Sequence, residues 1–298
     1  MVSSAISPLA PKSIPQLSAM DGISLSTAEA GIKYAGRDDV LLVRFEHTAQ
    51  VAGVFTLSHC PSAPVDWCKA QLGRGTAMAL LVNSGNANAF TGQKGHEAVY
   101  TSATLAANAV NCAPEDVFLA STGVIGEPLP ADKFGSVMES LAGTGSASAA
   151  DWENAARTIM TTDTYPKLVQ DSFELDGQSY NIFGMAKGAG MIQPDMATML
   201  SFLFTDAPLP ANVLQESLNK HVRTTFNAIT VDSDTSTSDT VLIFSLPGTR
   251  KLSDTADLDG FDAALHRTLK DLARQVVSDG EGARKLVEIT VTGAKSDE

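Results

Sequence analysis

The sequence has little of what several specialised chemistries require. Only three cysteines, Cys60, Cys68 and Cys112, occur in 298 residues. So odd and sparse a set excludes a disulfide framework and fits a reducing compartment. No C-x-x-C unit is present, so zinc held by paired cysteines is excluded, and no metal is expected. Five histidines, His47, His59, His96, His221 and His266, stand singly. His96-Glu97 opens like a zinc-protease motif, but Tyr100 occupies the second histidine position. No G-x-S-x-G is present to carry a serine hydrolase elbow. No phosphate loop of the form G-x-x-x-x-G-K-[ST] exists. Gly188 and Gly190 open a G-x-G, but Gln193 breaks the dinucleotide fingerprint.

Positive charge is also scarce: 21 basic against 34 acidic residues leave a net charge of −13. Phosphate backbones and anionic membrane surfaces need a basic stripe, so neither nucleic acid nor membrane is an expected partner. No apolar run approaches the ~18 residues of a spanning helix. Residues 1–16 lack a basic start followed by a long apolar stretch. They do not read as a secretory signal, and a cytoplasmic location is expected.

What remains is the composition of a globular chain, 44% hydrophobic and 18% charged, long enough for one large domain or two modest ones. Apolar runs at 40–45 and 51–57, joined by a polar stretch, predict a hairpin. Residues 77–82 and 117–120 predict strands. Residues 83–88 predict a turn between the strand at 77–82 and a helix over 96–108. Helices are expected at 129–141, 151–160, 211–222 and 261–278, the last closed by Gly280 as its C′ residue. Runs at 167–175 and 179–185 flank Asp176-Gly177, a type I′ hairpin signal. Further strands are expected at 199–205, 241–245 and 286–291. The order does not alternate as a doubly wound sheet would, so the fold class expected is α+β, layered, with mostly antiparallel sheets.

The most unusual segment is 186–200, Ala-Lys-Gly-Ala-Gly-Met-Ile-Gln-Pro-Asp-Met-Ala-Thr-Met-Leu. Taken alone, it reads as a glycine-rich loop entering a core strand. A sharper reading makes Thr198 an autoprocessing residue. A threonine hydroxyl is a weak nucleophile, but its own α-amine can activate it once cleavage of the Ala197–Thr198 bond makes it an N-terminus.

Six segments decide between these readings: NSGNANAFTG at 83–92, ASTGVIG at 120–126, MTTDT at 160–164, GMAKGAGMIQPDMATML at 184–200, VDSDTSTSDT at 231–240 and SDGEGARK at 278–285. Together, in this order and spanning nearly the whole chain, they resemble the ornithine acetyltransferases, also called glutamate N-acetyltransferases, of the arginine-biosynthesis acetyl cycle. The resemblance implies the layered α/β sandwich of that family. It implies self-cleavage at Ala197–Thr198 into an α chain (1–197) and a β chain (from 198, here to 298), assembled as two α and two β chains. Thr198 would be the nucleophile, and Thr122 and Gly123 the oxyanion hole. Thr161, Lys187, Thr198 and Glu281 would contact substrate, with Thr162 and Thr164 open alternatives to Thr161. Lys187 would take an α-carboxylate or help position the nucleophile, and Glu281 would take the side-chain ammonium of ornithine. The reaction implied is ping-pong acetyl transfer from N2-acetylornithine to glutamate, releasing ornithine. It needs no cofactor, and acetyl-CoA is a candidate second donor.

The chain departs from the family pattern at Ser233 and Ser238, where Gly and Asn are usual, and at Arg284, where a small or hydroxyl residue is usual. Family members also run on for roughly another hundred residues, the size of a small domain. Two other readings are open: a self-processing amidohydrolase or aminopeptidase of related fold, and an inactive fragment that binds without turnover.

Overall fold

The computed structural model describes residues 5–193, 199–248 and 257–295. Its frame is one sheet of eight strands: β1 (Ile23–Ala28), β2 (Val40–Phe55), β3 (Thr76–Asn86), β4 (Val117–Val124), β5 (Lys167–Leu175), β6 (Gln178–Lys187), β7 (Leu200–Thr205) and β8 (Thr240–Ser245). The strand order is β4-β3-β2-β8-β7-β6-β5, with β1 paired to the first half of β2. Among the described strands, only β3–β4 and β7–β8 run parallel. The expected α+β class with mostly antiparallel pairing therefore holds, within a single sheet.

Among the described residues six helices cover the sheet: α1 (Ala63–Leu72), α2 (Gly92–Val110), α3 (Gly135–Gly143), α4 (Ala149–Thr158), α5 (Ala211–Val222) and α6 (Asp259–Ser278). One core packs α1 to α4 against Phe202, Phe204, Leu242 and Phe244. A second packs α5 and α6 against Leu203, Val241 and Ile243. The alternation along β7 and β8 sends successive side chains into opposite cores. With both faces covered, these strands are buried throughout, and their apolar runs 202–204 and 241–244 do not alternate. Among the described residues, no helix is long and apolar enough to cross a membrane.

Three expectations are corrected. Residues 40–45 and 51–57 do not form a hairpin; β2 runs straight through, with a register shift between Arg44 and Ala49 against β3. The polar stretch 46–50 holds no Gly, Pro, Asn or Asp to turn the chain, so it is absorbed as a bulge. Residues 286–291 form no strand, and Val287, Ile289 and Val291 stand exposed. Nor does Gly280 act as a left-handed C′ residue. Asp279 caps α6 at φ −97°, and Gly282, at φ 76°, is the residue that turns the chain. By contrast, Asp176 (φ 52°) and Gly177 (φ 74°) form the expected I′-type turn between β5 and β6.

Candidate active site

The site is built where the ends of β4 and β6 meet. β4 does not stop at residue 120, the expected strand end, but runs on to Val124. Thr122 and Gly123 stay in parallel register with Ser84 and Gly85 of β3. Asn83, Asn86 and Asn88, expected as a turn, brace that edge instead. Ser121 donates to Asn83 Oδ1 at 2.6 Å, Asn83 Nδ2 to the Asn86 carbonyl at 2.9 Å, and the Asn88 N–H to Asn86 Oδ1 at 2.7 Å. Gly123 is required by space: at φ 131°, a Cβ there would lie 2.3 Å from the Gly85 carbonyl carbon.

Lys187 ends β6, opposite Leu200 at the start of β7. Its Nζ donates to Thr122 Oγ1 at 3.0 Å, and both residues are buried. A hydroxyl that accepts from an ammonium keeps its own proton free to donate elsewhere. Burial pushes the Lys187 ammonium's pKa below its usual range, and Lys167 adds to that; Asp163, Asp239 and Glu281 pull the other way.

Thr122, Gly123, Thr161, Lys187 and Glu281 all line one cavity of about 460 Å³. A second hollow of about 860 Å³ adjoins it, sharing Tyr34, Thr161, Thr162 and Glu281. Among the three candidate threonines, Thr161 and Thr162 face both spaces. The Thr164 hydroxyl is instead committed to Asp279 and to the Ser7 amide. Glu281 is placed through its backbone, whose N–H donates to the Ala189 carbonyl at 2.7 Å. Gly190 leaves it room, since a Cβ there would lie 2.8 Å from Glu281 Oε1.

Ala197 and Thr198 lie outside the described residues. The chain on either side is anchored. Upstream, Asp232 accepts the N–H groups of Met191 and Ile192 at 2.5 and 2.7 Å, and Thr235 donates to Gln193 at 2.7 Å. Downstream, the Met199 N–H donates to Asp239 Oδ1 at 2.7 Å. Burial pushes the Asp239 carboxyl up to about 8, against the Met199 amide, the Ser236 hydroxyl and Lys187. Asp232 and Asp239 carried no assigned role in the sequence. Both lie within the VDSDTSTSDT segment, where no pattern distinguishes the buried Asp239 from the exposed Asp232.

A family model described as the ArgJ family matches residues 24–298. The chain belongs to the ArgJ family. The Arginine biosynthesis bifunctional protein ArgJ of Rhizobium meliloti (strain 1021) is 56% identical over 303 residues, covering 99% of this chain and 73% of that protein. The protein of the same name from Brucella suis biovar 1 (strain 1330) is 55% identical over 302 residues, with the same coverage of 99% and 73%. Among solved structures, ArgJ from Bacillus halodurans superposes with a TM-score of 0.56 at 33% identity, over 59% of this chain and 92% of that one. Ornithine acetyltransferase from Mycobacterium tuberculosis, complexed with ornithine, gives a TM-score of 0.52 at 31% identity, over 64% and 96%. The l-aminopeptidase d-ala-esterase/amidase of Ochrobactrum anthropi, described as a variant of the Ntn hydrolase fold, gives a TM-score of 0.51 at 11% identity, over 90% and 88%. That likeness is one of fold alone. This ArgJ-family chain is thus an acyltransferase of arginine biosynthesis, with the layered fold of its relatives.

Proposed function

We propose that the chain transfers an acetyl group from N2-acetylornithine to glutamate through an acetyl-Thr198 ester. The observation that carries this reading is the single cavity holding a buried cation, Lys187, bonded to a hydroxyl, Thr122, and lined also by a carboxylate, Glu281. A substrate with an α-carboxylate, a distal ammonium and an acyl group on its α-nitrogen complements all three. The relative solved with ornithine supports that substrate class.

Maturation comes first. Thr198 Oγ attacks the Ala197 carbonyl, the peptide bond breaks to leave an ester, and water hydrolyses it to free the Thr198 α-amine. The strands ending at Lys187 and starting at Leu200 lie side by side in the sheet. The α and β chains would therefore stay interleaved after cleavage, as halves of an assembly of two α and two β chains.

In the first half-reaction Lys187 holds the α-carboxylate, Glu281 the ammonium and Thr161 the substrate backbone. Thr198 Oγ attacks the acetyl carbonyl, and its α-amine takes the hydroxyl proton. The Thr122 hydroxyl and Gly123 N–H stabilise the oxyanion; one such donor is worth about 3–4 kcal/mol in acyl-transfer enzymes. The C–N bond breaks, the proton passes to the leaving amine, and ornithine departs. The glutamate α-amine then attacks the ester, N-acetylglutamate forms, and Thr198 Oγ regains its proton. An amide donor and an amine acceptor make the exchange redox-neutral, so no cofactor takes part. Acetyl-CoA could acylate the same Thr198, consistent with relatives named as bifunctional. We place this chemistry in the cytoplasm, with its amino-acid substrates.

Incubation of the purified protein with N2-acetylornithine and glutamate tests the reading. Equal amounts of ornithine and N-acetylglutamate, with parallel double-reciprocal plots, are expected. The shared fold with an aminopeptidase favours one second reading, in which water is the acceptor. Acetate in place of N-acetylglutamate would establish it and overturn the first.

A further inference from the structure

Asp163 and Asp279, at the wall of the adjoining hollow, join Lys167 in a buried ionic triad that takes no part in the chemistry above. The Lys167 ammonium, fully buried, sits between two carboxylates, donating to Asp163 Oδ1 at 2.7 Å and to Asp279 Oδ2 at 2.6 Å. Each carboxylate also gathers backbone from elsewhere. Asp163 accepts the Thr161 N–H at 3.1 Å and the Gly188 N–H at 2.6 Å. Asp279 accepts the Thr164 N–H at 2.8 Å, together with the Thr164 hydroxyl. Thr161 comes from the loop between α4 and β5, Gly188 follows Lys187 at the end of β6, and Asp279 stands two residues before Glu281 after α6. The three chain stretches that carry Thr161, Lys187 and Glu281 therefore converge on one ammonium.

Ion pairing alone does not explain the arrangement. Well-packed apolar side chains commonly replace a buried ionic cluster at no cost. Apolar side chains would leave the N–H groups of Thr161, Thr164 and Gly188 without these acceptors, however, and an unpaired buried donor is costly. Two carboxylates against Lys167 leave the triad at −1, which Lys187 offsets, while Glu281 adds a further carboxylate to the cavity. Burial pushes the Asp163 carboxyl up, but Lys167 and Lys187, with the Lys167 and Gly188 hydrogen bonds, hold it down at about 2.

We propose that Asp163, Lys167 and Asp279 are positioning residues that fix the separation of Lys187 from Glu281, and so the length of diamino acid the cavity accepts. The inference rests on the proposed roles of Lys187 and Glu281. It adds that the discrimination is set from behind the cavity wall. The triad acts as a spacer between the group that takes an α-carboxylate and the group that takes a terminal ammonium.

The test is calorimetric binding of ornithine, of lysine (one methylene longer) and of 2,4-diaminobutyrate (one shorter) to the wild-type protein, Asp279→Asn and Lys167→Met. The wild type should prefer ornithine. Each variant should lose about tenfold or more for ornithine, the scale of one charged hydrogen bond, and less for the other two, so the preference flattens. Melting temperature is read in parallel. A fall in melting temperature with the wild-type preference intact would make the triad structural and overturn the proposal. Should Lys167→Met fail to fold, Asp279→Asn retains a carbonyl for Thr164; recovery of neither would equally assign the triad to folding and overturn it. A wild type that binds ornithine but makes no N-acetylglutamate refutes the proposed reaction alone. One that binds none of the three amino acids refutes both.

Discussion

Lys187 Nζ donates to Thr122 Oγ1 at 3.0 Å, joining the ends of β6 and β4 although β3, β2, β8 and β7 lie between them in the sheet. The bond orients the Thr122 hydroxyl. With one lone pair taken by an ammonium, the hydroxyl is a more polarised donor to any oxyanion formed in the cavity.

Thr122→Ala should therefore lower kcat for acetyl transfer by about 10²–10³, while Thr122→Ser, which keeps the hydroxyl, should retain most of the rate. Steady-state kinetics on the two variants checks this. An unchanged rate in Thr122→Ala would return Thr122 to a purely structural role.

Glu281→Gln should separate the half-reactions. A charged hydrogen bond is worth about 1.5–3 kcal/mol, or roughly a 10–100-fold loss in kcat/KM for N2-acetylornithine. Glutamate has no ammonium at that end and should be affected little, or used better if its distal carboxylate approaches position 281. Equal losses for both substrates would mean that Glu281 acts through its loop.

Asp239 predicts a pH dependence of stability. Its carboxyl titrates near 8 when folded, against an ordinary value of 3.8, because it is buried. Between those values the folded state binds more protons than the unfolded state, so stability falls as pH rises through this window. The contribution is complete below the ordinary value and lost as pH passes about 8. Asp239→Asn should flatten that decline, as read by denaturant midpoints from acid to mildly alkaline pH. Curves running parallel to the wild type would contradict the burial argument.

Ser233 occupies a left-handed conformation, φ 64°, at a position where the family pattern has glycine. A side chain there costs about 1–2 kcal/mol, offset in part by the chain entropy glycine loses on folding. Ser233→Gly should stabilise the protein by about 1 kcal/mol or less, read as a raised melting temperature.

Much of this architecture is legible in the sequence because local signals agree with the fold. The helix at 211–222 matches α5, and the strands at 167–175 and 241–245 lie within β5 and β8, with Asp176-Gly177 marking its turn. Motif resemblance brought out five cavity-lining residues that span positions 122 to 281. The triad was not legible. Asp163 and Lys167 stand four apart outside any helix, and Asp279 follows Lys167 by 112 residues, so no periodicity links them. The run at 286–291 misled for the opposite reason: its alternation is that of a strand, but it has no strand partner among the described residues.

Mass spectrometry of the purified protein, before and after addition of N2-acetylornithine, tests the central claim most directly. The account predicts two fragments, the second beginning at Thr198 and gaining one acetyl group on Thr198 that glutamate removes as N-acetylglutamate; Thr198→Ala should remain one uncut, unacetylated chain. A wild-type acetyl group carried on any other residue, or a cut elsewhere with none before Thr198, would contradict it.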